Sequence, residues 1–193
     1  MTASDAESIS LRELLDMAEP EDRQGFEDMW LGYTETFGAP DLRDSIAGTY
    51  NGRKSADILC FAGASEGIFA ANNVILDKNS HAIVVTPNYQ SHETLPLAIC
   101  EATGVPLDED DGWSLDIDRV AASIRPNTRL VTINFPHNPT GAVLCAERYS
   151  ALIELCRKNG IYILHDEIFS GLGPTGARKL PYIADVYERG LSL

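Results

Sequence analysis

The stretch Arg129-Leu130-Val131-Thr132-Ile133-Asn134 is apolar or β-branched along most of its length, and it decides the fold class. It is followed by a helical spacing of apolar residues over residues 146–158 and then by a second apolar run, Ile161-Tyr162-Ile163-Leu164. Strands without a polar face belong to a sheet that is covered on both sides, and a helix between two of them connects parallel neighbours. The sequence therefore predicts an α/β fold, a three-layer α/β/α sandwich with a mainly parallel sheet.

The same alternation of strand and helix patterns runs through the preceding part of the chain. Short apolar runs predict strands, and apolar residues three or four positions apart predict helices. The predicted strands are 58–61, 82–85 and 104–107, and the predicted helices are 10–17, 21–31, 66–76, 95–102 and 117–124, with another that begins at Pro40. We expect an N-terminal helical segment over residues 1–35 and the α/β domain over residues 36–193.

Composition and charge exclude several classes of function. The 193 residues include 15 Lys and Arg against 29 Asp and Glu, which gives a net charge of −14. Such a surface repels nucleic acids and anionic membranes, so neither partner is expected. The N-terminus is acidic, unlike a secretory signal, and no apolar run is long enough to cross a membrane. The four cysteines lack the spacing of a metal or redox motif, and we expect a soluble cytoplasmic protein without a bound metal.

Ligands of parallel sheets bind where the strands end, so the residues that follow the strands form the candidate site. A turn of small residues, Gly63-Ala64-Ser65-Glu66, leads into the helix predicted at 66–76. Backbone N–H groups at such a helix start bind phosphate, although the same turn also serves simply to begin a helix. After the strand at 82–85, Tyr89 is placed either to stack on a flat ring or to pack. His92 is placed as a ligand, a base or a buried structural histidine.

Two later strand ends carry an amide and a carboxylate. The loop Asn134-Phe135-Pro136-His137-Asn138-Pro139-Thr140-Gly141 has two residues that precede proline, which fixes an extended backbone and directs the Asn138 side chain. Asp166, in His165-Asp166-Glu167, follows the strand at 161–164, where a buried carboxylate is costly unless a cationic group meets it. Because strand side chains alternate between faces, one metal ion cannot bind all three of these residues.

Four of these motifs follow one another along the chain: Gly63-Ala64-Ser65-Glu66, Pro87-Asn88-Tyr89, Asn138-Pro139-Thr140-Gly141 and Asp166-Glu167-Ile168-Phe169. In this order they resemble the class I/II aminotransferases, pyridoxal 5'-phosphate enzymes of fold type I. The stretch that begins at Tyr33 is similar to the tyrosine-then-glycine entry into the large domain of that family. The resemblance covers essentially the whole chain and implies the fold of a PLP-dependent transferase large domain.

The resemblance implies a role in binding pyridoxal 5'-phosphate for each matching residue. Asp166 would face the pyridine nitrogen and keep it protonated, which supplies the cation that this carboxylate needs. Asn138 would donate a hydrogen bond to the 3-oxygen of the ring, and Tyr89 would stack on the ring. Ala64 and Ser65 match the turn that holds the phosphate.

Three further residues take their expected roles from the same resemblance. His92 is similar to a histidine that some members direct at the aspartate. Tyr33 matches a tyrosine that reaches the phosphate of the neighbouring subunit, which implies a homodimer with shared sites. Phe169 stands where members commonly have a tyrosine whose hydroxyl also bonds the 3-oxygen, so one hydrogen bond to the cofactor is expected to be lost.

The resemblance also implies a position for the reactive lysine. In the family the Schiff-base lysine follows the aspartate on a Ser-x-Lys loop, and in this numbering it is expected after Leu193. The lysines present, which are Lys54, Lys78, Lys158 and Lys179, do not match that position. Residues 36–193 are therefore expected to be a partial large domain, without its C-terminal part and the small domain, and inactive when taken alone.

The function implied by the resemblance is that of an aminotransferase acting on an amino acid and a 2-oxo acid, this chain being the cofactor-binding portion. Two alternatives stay open. A lyase or cyclase of the same fold would use the same cofactor, and Phe169 does not decide between them. A non-catalytic remnant that binds a partner would account for the missing lysine.

Overall fold

The computed structural model describes residues 7–172 and 180–193, and the chain divides into two compact units, Met1–Thr36 and Phe37–Leu193. The first unit contains helix α1 (Leu11–Asp16) and helix α2 (Pro20–Glu27). Ser10 begins α1 with a capping box: the Glu13 N–H donates to Ser10 Oγ at 3.2 Å, and the Ser10 N–H donates to Glu13 Oε2 at 2.7 Å. Both predicted helices are present, although the second ends four residues earlier than its pattern indicated.

The second unit alternates helices and strands. Its helices are α3 (Pro40–Ala47), α4 (Ala64–Ile75), α5 (Gln90–Ile99), α6 (Ile117–Ala122), α7 (Ala146–Asn159) and α8 (Ile183–Val186), with a 3₁₀ turn at Ser55–Asp57. Its strands are β1 (His81–Thr86), β2 (Glu101–Pro106), β3 (Thr128–Asn134), β4 (Tyr162–Asp166) and β5 (Gly190–Ser192). The strand and helix patterns from residue 104 to residue 164 match this order closely.

The five strands form one parallel sheet in the order β2-β1-β3-β4-β5. In the pairing of β3 with β4, Ile133 lies beside His165 and Asn134 lies beside Asp166. This register brings the carboxyl ends of the two central strands level with each other. The loops that follow β1, β3 and β4 therefore leave the sheet at the same edge, where ligands of parallel sheets bind.

A separate apolar core covers each face of the sheet. On one face, residues such as Val131 and Ile163 pack with Leu152 of α7. On the other, Leu130 and Leu164 pack with Ile68 of α4. Successive residues of β3 and β4 thus alternate between the two cores, as expected for strands buried on both sides. The three-layer α/β/α fold with a parallel sheet is confirmed.

Two predicted elements near the first strands are wrong. Residues 58–61 are not a strand: Leu59 and Phe61 are exposed, and the Cys60 N–H bonds the Phe37 carbonyl outside the sheet. The helix predicted at 95–102 begins at Gln90 instead and ends at Ile99, because residues from Glu101 onward pair with β1. Parallel strand pairing overrides the helical spacing at that point.

Candidate active site at the carboxyl end of the sheet

Asp166 ends strand β4 with its carboxylate held from two directions. The side chain is 7% exposed, and Oδ2 lies 3.2 Å from His92 Nε2. Oδ1 accepts a hydrogen bond from the Ile168 N–H at 3.2 Å. The backbone is held as well, since the Asp166 carbonyl accepts the Phe135 N–H at 3.3 Å. The carboxylate therefore has one fixed orientation at the edge of the sheet.

His92 reaches this carboxylate from helix α5 and is completely buried. Because a carboxylate only accepts hydrogen bonds, Nε2 must carry the proton of this contact. Within the part of the chain that the structure describes, Nδ1 of His92 has no hydrogen-bond partner. The backbone of the histidine is tied to β3, where Thr132 Oγ1 donates to the His92 carbonyl at 3.4 Å. The structure thus brings together His92 and Asp166, 74 positions apart.

Asn138 lies in the loop after β3, and its backbone is placed by another asparagine. Asn134 Oδ1 accepts the Asn138 N–H at 2.8 Å, while Asn134 Nδ2 donates to the Asp166 carbonyl at 3.0 Å. One buried amide therefore connects the end of β3, the end of β4 and the Asn138 loop. The sequence interpretation did not single out Asn134 as a site residue. The available signal was a polar residue at the end of an otherwise apolar strand.

Tyr89 lies in a different loop, which His137 connects to the Asn138 loop. His137 is buried, with Nε2 2.8 Å from the Pro87 carbonyl oxygen and Nδ1 2.8 Å from Thr140 Oγ1. The carbonyl can only accept, so Nε2 donates and Nδ1 accepts the threonine hydroxyl proton. Burial lowers the pKa of His137, with the Pro87 contact opposing that effect. Tyr89 itself is 43% exposed at the start of α5.

The turn before α4 has the form expected of a helix start that presents backbone N–H groups. Gly63 precedes the helix, Ala64 is its first residue, and Ser65 is exposed. No side chain caps this end, although the Ala62 N–H donates to Glu66 Oε2 at 2.8 Å. Uncapped N–H groups and the helix dipole favour an anion at such a position.

A separate groove begins at this turn. It has a volume of about 650 Å³ and runs along α3, α4 and β5 between mostly apolar side chains. Ala64 lines one end of it, whereas Asp166, Asn138 and Tyr89 do not line it. The groove is therefore distinct from the strand end and loops in which those three residues lie.

The remaining predicted residues are Tyr33 and Phe169. Tyr33 lies in the first unit and is fully exposed. Phe169 is half-buried in the turn that follows β4, where its carbonyl accepts the Leu172 N–H at 3.1 Å. His165 and Glu167 lie on the other face of β4 from Asp166, and in the described ranges no three acidic, histidine or cysteine side chains are grouped to hold a metal ion.

The three described lysines are exposed. Lys78 lies between α4 and β1, and Lys158 lies near the end of α7, so both lead into the amino ends of strands, away from Asp166. Lys54 precedes the 3₁₀ turn, where its N–H donates to Asp57 Oδ2 at 3.0 Å. Lys179 lies outside the described residues.

Comparison with known proteins places this geometry in a family. The family profile "Aminotransferase class I and II" matches residues 10–189. The chain belongs to this family. It is 29% identical to an aspartate aminotransferase of Pyrococcus horikoshii over 83% of this chain and 43% of that protein. It is 31% identical to an arginine–pyruvate transaminase of Pseudomonas aeruginosa over 79% of this chain and 42% of that protein.

The fold of this class I/II family member is shared with solved structures. A PLP-dependent aminotransferase from Streptococcus suis superposes with a TM-score of 0.89 and 29% sequence identity, over 99% of this chain and 51% of that one. The chain thus spans about half the length of that protein, and somewhat less than half of the two relatives named above. Among the helices of the described residues, none is both long and apolar enough to cross a membrane.

Proposed function

We propose that this chain binds pyridoxal 5'-phosphate at the carboxyl end of its sheet and forms the cofactor-binding portion of an aminotransferase for an amino acid and a 2-oxo acid. The observation that carries the proposal is the buried carboxylate of Asp166. Its only ion-pair partner among the described residues is His92, and no described lysine or arginine approaches it within ion-pair distance. A buried carboxylate in this position is costly unless a cationic group meets it, and a ligand would supply that group.

The donor set around Asp166 fits the cofactor. The protonated pyridine nitrogen is the cation that Asp166 would bind, and the uncapped start of α4 at Ala64 and Ser65 would bind the phosphate. Asn138 would donate to the 3-oxygen of the ring. Tyr89, on the loop that His137 holds, would stack on the ring and exclude water. When bound, the cofactor supplies the electron sink that lets an amino acid lose its α-proton.

The chain's own residues would hold the ring and keep its nitrogen charged. Asp166 does this through its negative charge, and His92 keeps the carboxylate pointed at the ligand side by donating from Nε2. Phe169 has no hydroxyl, so Asn138 would be the donor to the 3-oxygen from this part of the site. None of these groups moves the α-proton, and we assign no catalytic residue within the described ranges.

The lysines support a binding role for this chain taken alone. Lys78 and Lys158 lie at the amino-end edge of the sheet, and Lys54 is exposed beside the 3₁₀ turn. We therefore propose that the isolated chain binds the cofactor without a covalent bond and does not transaminate. We further propose a cytoplasmic homodimer in which Tyr33 serves the neighbouring subunit. The full exposure of Tyr33 supports that arrangement.

Equilibrium dialysis with pyridoxamine 5'-phosphate tests the binding proposal, because this form of the cofactor needs no lysine. Asp166→Asn removes the charge but keeps the shape, so a charge-assisted hydrogen bond worth about 1.5–3 kcal/mol is lost and the affinity falls by about ten- to a hundredfold. The matched control is Asp118→Asn, an exposed carboxylate on α6. Equal binding of pyridoxamine without its phosphate, or an unchanged affinity in Asp166→Asn, would overturn the proposal.

A further inference from the structure

A second buried pair of titratable side chains lies behind Asp166, on the opposite face of β4. His165 Nδ1 is 3.0 Å from Glu167 Oε1, and the two side chains are 2% and 3% exposed. The contact is close enough for an ion pair, but Nδ1 makes no aligned hydrogen bond. Neither side chain belongs to the cofactor site described above. Burying two titratable side chains costs desolvation free energy, which their mutual contact offsets only in part.

The pair connects three elements around the end of β4. His165 Nε2 donates to the Phe135 carbonyl at 3.1 Å, just after β3. Glu167 accepts the Ile183 N–H at the start of α8, at 3.1 Å to Oε1 and 3.4 Å to Oε2. The backbones of both residues also bond Leu193, which donates to the His165 carbonyl at 3.1 Å and accepts the Glu167 N–H at 3.0 Å. The residues before and after Asp166 are thus anchored independently of Asp166 itself.

The geometry defines one proton of the pair and the contacts of both side chains. Both Glu167 oxygens face the Ile183 N–H. His165 Nε2 carries a proton because the carbonyl of Phe135 can only accept one. The 3.0 Å contact between His165 Nδ1 and Glu167 Oε1 thus joins the Phe135 carbonyl to the Ile183 N–H through two buried side chains.

The other groups around this pair do not replace either partner. Tyr149 lies with its ring 5.8 Å from that of His165, and burial together with the charge of Glu167 raises the Tyr149 pKa. Burial and Glu167 likewise raise the pKa of Tyr50, so both phenols are neutral. The nearby charges are matched with each other, since Arg53 lies 3.7 Å from Asp185. His165 is thus the side chain that lies against Glu167, at 3.0 Å.

We propose that His165 and Glu167 are positioning residues that fix the direction of the Asp166 carboxylate. Strand alternation places these two residues on the face opposite Asp166, and anchoring both sets the direction of the bond from Cα to Cβ of Asp166. That direction determines the 3.2 Å contact with His92. The consequence for cofactor affinity rests on the function proposed above, whereas the consequence for His92 does not.

Nitrogen-15 NMR of labelled histidine in the full chain tests the positioning role without any ligand. The chain has four histidines, so each signal is assigned by its own His→Gln variant. In the wild-type protein His165 Nε2 should carry a proton, because it donates to the Phe135 carbonyl, and a bare Nε2 overturns the proposal. Glu167→Gln keeps the size and an acceptor for Ile183, and His165→Gln keeps a donor for Phe135. Each should move the His92 signals.

The matched control is His81→Gln. His81 is buried at the other end of the sheet, where its ring contacts Thr128 and Thr103 at 2.8 and 2.9 Å. This variant should lower the urea midpoint while leaving the His92 signals in place. If Glu167→Gln and His165→Gln behave like His81→Gln, the pair is merely structural and the proposal is overturned. If both fail to fold, the wild-type protonation of His165 still decides the question.

Ligand affinity provides the second readout. A small displacement of Asp166 is expected to weaken pyridoxamine 5'-phosphate binding by about ten- to a hundredfold in either single variant. The double variant should lose no more than a single one, because the two side chains act as a unit. Unchanged affinity in both single variants contradicts the positioning role. If the wild-type chain itself does not bind the ligand, the proposed function fails, and the His92 signals still test the positioning role.

Discussion

His137 Nε2 lies 2.8 Å from the carbonyl oxygen of Pro87, a residue 50 positions earlier in the chain. The contact joins the loop after β3 to the loop after β1, so that Asn138 and Tyr89 are held on connected segments. The same ring accepts the Thr140 hydroxyl at Nδ1. A histidine with no assigned contact to the cofactor therefore sets the relative placement of two residues that are proposed to bind it.

The neutral state of this histidine makes the stability of the chain depend on pH. Burial lowers the pKa of His137, and burial together with Arg125 lowers the pKa of His81. In the unfolded chain the two histidines bind their protons at a higher pH than in the folded chain, near the ordinary histidine pKa of about 6.5. The free energy of unfolding should therefore keep its full value above that pH. It should decrease as the pH falls below it, by at most about 1.4 kcal/mol per pH unit for each proton.

Urea denaturation between pH 8 and pH 5 checks this dependence. His137→Gln keeps a donor for the Pro87 carbonyl but cannot titrate, so its stability should fall less steeply with acid than that of the wild type. His81→Gln should also reduce the slope. The two sites lie at opposite ends of the sheet, so each variant removes one titrating histidine and leaves the other in place. Slopes that are identical in the wild type and in both variants would contradict the role of these rings.

Asn134 should matter for both stability and ligand binding. Asn134→Ala leaves the Asn138 N–H and one acceptor position of the Asp166 carbonyl without their partner, at a cost of about 1–3 kcal/mol. The affinity for pyridoxamine 5'-phosphate should fall at the same time, because the Asn138 loop is no longer tied to β4. The matched control is Asn73→Ala on α4, where the exposed amide donates to the Phe69 carbonyl at 2.8 Å. Equal losses in the two variants would show that the connection is unimportant.

The contrast between Asn134 and Asp166 shows how far a sequence can predict this site. Asp166 and Asn138 were identifiable because the ends of apolar strands place them at one edge of a parallel sheet. The bridging roles of Asn134 and His137 were not, because their partners lie 32 and 50 positions away and depend on the register of β3 with its neighbours. Strand β5 has only three residues, and its short pattern gave no periodic signal.

The errors in the predicted secondary structure also arise from contacts between residues that are distant in the sequence. The apolar residues 58–61 looked like a strand, yet they lie outside the sheet with Leu59 and Phe61 exposed. Residues 100–102 were expected to continue the helix, yet they are extended because Glu101 pairs with His81. The local sequence pattern shows which side chains are apolar, whereas pairing between strands distant in the sequence determines which of them enter the sheet. The long helix α7 and strand β3 were predicted well because their local and long-range preferences agree.

Phe169 offers a test in which a group is added instead of removed. The residue is half-buried in the turn after Asp166, where the resemblance to class I/II aminotransferases implies a tyrosine. If the 3-oxygen of the ring is bound near this turn, Phe169→Tyr provides a second donor beside Asn138. The gain of one hydrogen bond is about 0.5–1.5 kcal/mol, which corresponds to an affinity about two- to tenfold higher for pyridoxamine 5'-phosphate. An analogue without the 3-oxygen should gain nothing, because it has no acceptor for the new hydroxyl. An equal gain for both compounds would instead mean that the hydroxyl acts on the fold, and the placement of the ring between Asn138 and residue 169 would be wrong.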